Sequence, residues 1–513
     1  MFRLCEVQKK RYFDSMFLMR VSQRLRAEPG ITEAAVVMGT PANIQILLDL
    51  GFPKEELAHA GPNDLVVAIA GEDEEKVRAA LAKVEELLSG GREVSPQAPK
   101  TLAQALAYLP NANIAVISLP GQYAGQEAKK ALELGLNVFL FSSNVPLEVE
   151  IALKNMAREK GLIVMGPDCG TAIVNGVGLG FANVVRRGPV GVIAASGTGL
   201  QEFSSLVHRA GAGISHAIGT GSRDFSDSVG GLTALTAFEA LEKDEGTKVI
   251  AIIAKPPGER TLALLAEKVK RSPKPVVACF LGPISETLRR EWPGLLASTI
   301  DEAVVLTLQI LGRPVPRFLS VTEEELAHLA LAEAGKLSPK QRYVRGIFAG
   351  GTFCYQAQLL FYRHGIQFRS NTPLSPQFAL ANPLRSEGHT LLDMGDEFFT
   401  QGRLHPMIDP TLRYERILAE AKDEEVAVIL LDFVLGYNAS SDPAGDLIPA
   451  ILEAQAQREE RGKHLIFVGS VCGTEADPQN YEDQVRRLKN AGVLVFPTQA
   501  QATEFVLHLI GGR

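Results

Sequence analysis

A chain of 513 residues, 46% of them hydrophobic, carries enough apolar surface for about three or four domain cores, which excludes a disordered or fibrous chain. The net charge of −7 is spread without long single-sign blocks, and no apolar run approaches the roughly 18 residues of a membrane span, so neither a nucleic-acid surface nor a membrane anchor is expected. Five cysteines (Cys5, Cys169, Cys279, Cys354 and Cys472) lack CxxC spacing, and the charged first residues hold no apolar signal core; reduced thiols, no metal site and a cytoplasmic location are the expectation.

Residues 1–95 predict a small α+β domain, with helices over 13–25, 43–50 and 73–88 and strands over 31–38 and 64–70. Strand–helix pairs of this size suit a ferredoxin-like or similar regulatory module. Thr40 before Pro41 has the form of a helix cap. Residues 89–100 are rich in Gly, Pro and Ser and predict a linker.

From Thr101 the pattern alternates strand and helix. Residues 100–188 predict a Rossmann-like domain with strands over 114–118, 138–141 and 161–165; its loops at 120–124, 142–146 and 166–171 would meet at the carboxyl ends of the strands, where open parallel sheets bind ligands. Gly188 marks the next boundary. Residues 189–315 then predict strands over 190–195, 213–218, 248–254 and 275–281, and a charged helical connector covers 316–340. Residues 340–513 predict strands over 345–349, 390–393, 426–432 and 465–468, closed by helices over 480–488 and 498–510. The similar size of these two blocks predicts a duplicated fold, and the chain as a whole a multidomain α/β protein.

The most informative stretch runs from Gly188 to Glu202. An apolar strand ends in Ser196-Gly197-Thr198-Gly199, and Leu200, Phe203, Leu206 and Val207 follow at helical spacing. The first N–H groups of a helix lack intrahelical partners and the helix dipole adds about half a positive charge, so this turn has the outline of an anion site. An ordinary capped turn would look the same. A second copy changes the balance: after the strand at 345–349 come Gly350-Gly351-Thr352 and a helix carrying Ala357, Leu360 and Phe361. A phosphoryl group between two such helix ends would satisfy both.

Other candidates sit in loops at strand ends. Lys255 precedes two prolines and suits either a bound anion or a structural ion pair; Arg223 is a catalytic cation or the partner of adjacent Asp224. His405 is an acid/base group or a packed ring. Gly221, Asp393, Asn438 and Thr474 are candidates for substrate binding, with helix capping as the other role for Asp393 and Asp396. Cys169 and Cys472 read as buried filler.

Several of these motifs carry a family resemblance. Gly166-Pro-Asp-Cys-Gly170 is similar to the GPNCxG of succinyl-CoA synthetase α-subunits, Val192 to Thr198 to their strand into SGT, and Ile218 to Asp224 to their GIGGD loop. Phe348 to Thr352 resembles the β-subunit NGAGLA turn, Leu392 to Asp396 its LDVGG, Phe433 to Tyr437 its IFGGI, and Gly473-Thr474 its GTN. Residues 101–513 thus resemble the two synthetase subunits joined in one chain, and the whole chain resembles the FdrA family. The resemblance implies a CoA-binding-type Rossmann-like domain, two flavodoxin-like domains of synthetase type, and two helices converging on one phosphoryl group.

The departures bear on function. The ligases carry phosphate on a His after the strand corresponding to 275–281, yet residues 285–299 contain no His. Lys255 stands near the place of their partner Glu, no ATP-grasp domain or GxxxxGK[ST] motif is present, and their first CoA-binding turn, GxTGxxG, has no counterpart between Ser89 and Thr101. What remains is a site for an acyl phosphate supplied from outside. Resemblance to FdrA implies a subunit of an oxamate carbamoyltransferase of allantoin breakdown, converting carbamoyl phosphate and oxamate to oxalurate and phosphate beside companion subunits, in an oligomer. No cofactor is required by that chemistry; coenzyme A stays open through the loops at Pro120 and Gly166. Two alternatives are an acyl-CoA synthetase with a separate ATP-grasp partner, and a non-catalytic anion-binding assembly subunit. The SxRTR and HPxQ motifs of aspartate- and ornithine-type carbamoyltransferases are absent.

Overall fold

The computed structural model describes residues 2–11, 13, 15–62, 64–89, 99–282, 286–401 and 403–511, so most of the expected linker and Ser285 lie outside the described residues. The chain forms two units, Met1–Gln104 with Thr400–Leu404, and Ala105–Phe399 with His405–Arg513.

In the first unit, strands β1 (Phe2–Gln8), β2 (Ile31–Met38) and β3 (Leu65–Gly71) form an antiparallel sheet of order β1-β3-β2. Alternation along β3 serves both faces. Leu65, Val67 and Ile69 pack under helices Ser15–Arg26 and Glu74–Ser89, while Val66, Ala68 and Ala70 meet Leu47, Phe52 and Leu57. Strand β1 escapes the sequence pattern because a half-buried edge strand tolerates Arg3, Glu6 and Gln8 between its apolar residues.

Among the described residues the second unit contains three sheets. The smallest, of order β4-β5-β6, comprises Ile114–Ile117, Asn137–Leu140 and Val164–Met165, all parallel. The hairpin β7 (Thr171–Val174) and β8 (Val177–Gly180) then leaves it. Strands β9 (Arg187–Ala194), β10 (Ile214–Gly219), β11 (Val249–Ala254), β12 (Val276–Phe280) and β13 (Leu295–Ala297) build a sheet of order β13-β12-β11-β9-β10-β7-β8. The hairpin, which lies before the boundary expected at Gly188, belongs to this larger sheet, because β7 pairs antiparallel with β10.

The third sheet holds β14 (Tyr343–Phe348), β15 (Arg369–Ser370), β16 (Thr390–Asp393), β17 (Val426–Val434), β18 (Ile466–Cys472) and β19 (Leu494–Phe496) in the order β15-β16-β14-β17-β18-β19. Its run β19-β18-β17-β14-β16 repeats β13-β12-β11-β9-β10 strand for strand, and every pair in both runs is parallel. Both sheets are buried on two faces, which explains strands such as β11 and β17 in which every residue is buried. In each repeated run the first strand in sequence, β9 or β14, lies at the switch point of the strand order, where the crevice of a doubly wound sheet opens. The two glycine turns follow these two strands.

Candidate functional site

The two turns meet. Ser196 caps the helix Gly197–Arg209, its hydroxyl accepting from the Gly199 N–H at 2.9 Å, and the same oxygen lies 2.5 Å from the Thr352 hydroxyl on the first turn of the helix Gly351–Arg363. Thr198 answers in the opposite sense. Its methyl lies 2.9 Å from where a Cβ of Gly350 would stand, so only glycine allows this approach. The cap of each helix thus touches the second residue of the other, a pseudo-twofold arrangement. The N–H groups of Gly197, Thr198, Gly351 and Thr352 have no intrahelical acceptor by helix geometry, and all four residues are found at this seam. Ser196, Gly197, Gly351 and Thr352 are only partly buried, so the seam is open to a ligand.

Three further groups stand around it. Asp432, fully buried on β17, accepts from the N–H groups of Ala349 and Gly350 at 2.8 and 2.7 Å and pairs with Arg413 at 2.8 Å, which holds the second turn in place of a side-chain cap. Asp393 ends β16 with one carboxyl oxygen accepting from the Gly395 N–H at 2.9 Å and the other 2.6 Å from where a Cβ of Gly351 would lie. Burial pushes this carboxyl up to about 7, with the charges of Asp396 and Asp432 adding to the rise and that of Lys255 opposing it. Lys255 lies exposed at the end of β11, its ammonium 4.4 Å from the ring centre of Tyr355 on the second helix. No carboxylate among the described residues is within ion-pair distance of it, in contrast to the structural pairing that the sequence left open.

His405 reaches the same corner. The Met407 N–H donates to its Nδ1 at 3.2 Å, which leaves the ring proton on Nε2, and burial depresses the imidazole to about 4, helped by Arg413. It is a neutral N–H donor near pH 7. Nε2 is 2.5 Å from where a Cβ of Gly395 would sit, and Asp393 Oδ1 is 3.2 Å from the same point.

The remaining predicted residues are engaged elsewhere in this unit. Arg223 does not pair with Asp224: its guanidinium holds Glu150 at 2.9 Å and donates to the Val145 carbonyl, while Asp224 pairs with buried Lys154 at 2.8 Å and accepts from the Thr233 and Ala234 N–H groups. Gly221, at φ +88°, lies against the Gly166–Pro167 peptide, where a Cβ would strike the Pro167 carbonyl. Asn438 donates to the Gly180 carbonyl at 2.8 Å and the Thr474 hydroxyl to that of Val184 at 2.7 Å. These three fix the loops around the hairpin β7–β8. Burial raises the thiols of Cys169, to about 12, and of Cys472, which suits packing rather than nucleophilic chemistry.

Two pairs escaped the sequence reading. Asp432 was visible as a lone carboxylate inside an apolar strand, a pattern that demands a partner, but nothing marked Arg413 as that partner. Glu202 and Gln356 occupy the same turn of their two helices. Glu202 accepts from the Gln499 N–H at 3.0 Å and Gln356 from the Ile300 N–H at 3.1 Å, so each caps the last long helix of the other block, Gln499–Gly511 and Ile300–Ile310.

Comparison with known proteins adds family to geometry. Residues 347–509 match a family model described as CoA-ligase, and residues 1–103 a model described as AllF, heavy metal-associated domain. The uncharacterized protein YahF of Escherichia coli (strain K12) is 41% identical over 498 residues, 95% of each chain. The chain belongs to the YahF family. This YahF relative is also 27% identical over 173 residues to the α-subunit of succinate–CoA ligase [ADP-forming] from Methanothermobacter thermautotrophicus, a match covering 33% of the chain and 57% of the ligase subunit. ATP citrate lyase from Methanothrix soehngenii, a structure with citrate and coenzyme A, matches at 13% identity and TM-score 0.36 over 80% of this chain and 79% of the lyase. The ligase-subunit match and the CoA-ligase model, with the sheets described above, give the chain a succinyl-CoA synthetase-like, multidomain α/β scaffold with a small additional N-terminal domain.

The residues of that N-terminal domain do not fit a heavy metal. Within 1–103 the sequence holds one cysteine, Cys5, and one histidine, His59. Burial pushes the Cys5 thiol up to about 12, opposite to the ionisation that a metal–thiolate bond needs. Among the described residues no group of three His, Cys, Asp or Glu side chains is placed to hold a metal. No helix of the described chain is long and apolar enough to cross a membrane.

Proposed function

We propose that this chain is the phosphate-binding subunit of a carbamoyltransferase that moves the carbamoyl group of carbamoyl phosphate to the amide of oxamate, releasing phosphate, with companion subunits. The observation that carries it is the contact of Ser196 and Thr352 at 2.5 Å between two facing helix N-termini. A phosphoryl group entering there accepts from both hydroxyls and from the N–H groups of Gly197, Thr198, Gly351 and Thr352, with Lys255 supplying a cation. Such fixed donors stabilise the departing phosphate and the tetrahedral oxyanion without reorganisation; loss of one costs about 3 kcal/mol of barrier, on the order of a hundredfold in rate. The absence of His from residues 285–299 favours direct transfer from an acyl phosphate over a phosphohistidine route. The resemblance to FdrA proteins supplies the choice of carbamoyl phosphate and oxamate. Arg223 and His405 have supporting parts in this scheme, as an anchor of the neighbouring domain and a neutral donor.

The CoA-ligase match over 347–509 favours a second reading, an acid–thiol ligase completed by an ATP-grasp partner. One assay separates the two. Phosphate release from carbamoyl phosphate is measured with oxamate, for the chain alone and with candidate companion subunits, in parallel with ATP, coenzyme A and succinate. Oxamate-dependent release supports the carbamoyltransferase; acyl-CoA formation without it replaces that reading with the ligase.

A further inference from the structure

The group nearest the second helix end is a carboxyl, an odd neighbour for a dianion unless it carries a proton. Asp393 places one oxygen against Gly351, the first residue of the Gly351–Arg363 helix, and anchors the other on the Gly395 N–H at 2.9 Å. Its backbone is pinned as well, since Asn371 accepts from the Asp393 N–H and donates to the Asp393 carbonyl, both at 2.9 Å. The residue is only partly buried, as are Gly351 and Thr352 beside it. The groups that face it are Asp396 and Asp432 on the negative side, Lys255 on the positive side, and two neutral groups, the buried Cys354 thiol and the His405 ring across Gly395.

Resting on the carbamoyltransferase reading, the geometry points to Asp393 as the catalytic acid and base of the transfer. As the C–O bond of carbamoyl phosphate breaks, its carboxylic acid gives a proton to the bridging oxygen and phosphate leaves with the bonding electron pair. The amide nitrogen of the acceptor forms the new C–N bond, and its surplus proton returns to the Asp393 carboxylate. Atoms and charges balance with no co-reactant. A carboxyl held up to about 7 by its surroundings is half protonated at neutral pH, as such an exchange needs, and a dianion beside it raises the protonated share. The equivalent position of the first block is Gly219, so the proton-carrying group belongs to the second block alone.

The test uses the full chain with its companion subunits, wild type and Asp393→Asn, with inorganic phosphate titrated as the binding probe. The expected result is phosphate affinity within about threefold of wild type and turnover of carbamoyl phosphate lowered by 10²- to 10⁴-fold, the usual share of a general acid–base group. Wild-type activity should fall as pH rises through about 7, and the residual activity of Asp393→Asn should lose that limb. Oxamate and coenzyme A serve as alternative acceptors. If only the thiol accepts, the reading with oxamate as acceptor fails while the same wild-type-to-variant ratio still tests Asp393. Turnover of Asp393→Asn within about threefold of wild type, a shared pH limb, or parallel loss of phosphate binding overturns the proposal, as does a wild-type assembly inert with both acceptors.

Discussion

The two blocks that meet at the seam share a strand order but hold their glycine turns by different chemistry. In the first, the Ser196 side chain caps the helix, and the Ala195 N–H bonds the backbone carbonyl of Ile253 at 3.0 Å. In the second, Gly350 has no side chain to offer, and the Asp432 carboxylate, from the strand position matching Ile253, takes the N–H groups of Ala349 and Gly350 with Arg413 behind it. A cap made from the turn itself leaves its neighbours free to be apolar. A cap borrowed from a neighbouring strand imports a charge, which then needs a counter-charge. The lesson is that one turn geometry can be held by a local hydroxyl or by a remote ion pair, and that the second solution exposes the site to its electrostatics.

That difference can be broken from its more heavily charged side first. Arg413→Leu leaves Asp432 buried without its counter-ion, and a loss of about 3–5 kcal/mol in unfolding free energy is expected, read by urea titration. The pair Glu202 and Gln356 sharpens the comparison next. Burial raises the Glu202 carboxyl to about 8, above its unfolded value, so its contribution is fully present below about pH 4.5 and is lost as pH rises toward 8. Over that window wild-type stability should fall by on the order of 1 kcal/mol per pH unit beyond the rest of the chain, and Glu202→Gln, which copies Gln356, should abolish the excess slope in urea midpoints between pH 5 and pH 8. Ser196→Ala removes a cap and should cost about 1 kcal/mol, whereas Thr352→Val, at a helix position that caps nothing, should weaken inorganic phosphate binding with a smaller change in Tm. Lys255→Met should leave Tm unchanged and weaken phosphate binding about tenfold, the value of one charged hydrogen bond; unchanged affinity would remove Lys255 from the site.

Sequence periodicity carried the architecture far because both large sheets are parallel and covered, so their strands stand out as apolar runs: the strand over 390–393 agrees residue for residue, and β11 differs by one residue. What it missed has physical causes. The hairpin Thr171–Gly180 is short and half polar, and its allegiance to the larger sheet is a matter of pairing that no local pattern encodes. At the site, the glycine turns were legible because a strand, a small-residue turn and a helix are contiguous. Asp393 was legible as a substrate-binding or capping candidate at a strand end but not as the neighbour of Gly351, since that contact joins positions far apart in the chain. The partners of Arg223 and Asn438 were hidden for the same reason: loops at strand ends hold domains together as well as ligands, and Glu150 and the Gly180 carbonyl lie far from them in sequence.

The exchanged helix caps have a consequence for how the chain comes apart. Each block depends on the other for the first N–H of its last long helix, through Glu202 to Gln499 and Gln356 to Ile300, and the two capped ends are themselves joined by the Gln356 amide donating to the Gln499 side chain at 2.6 Å. Neither block can open that end without uncovering a buried acceptor in its neighbour. The pair therefore behaves as one cooperative unit, a single foldon spread over two sheets. The connecting segment between them acts as a tether that sets local concentration. Proteolysis within that segment should nick the backbone and leave the two halves associated, in one unfolding transition.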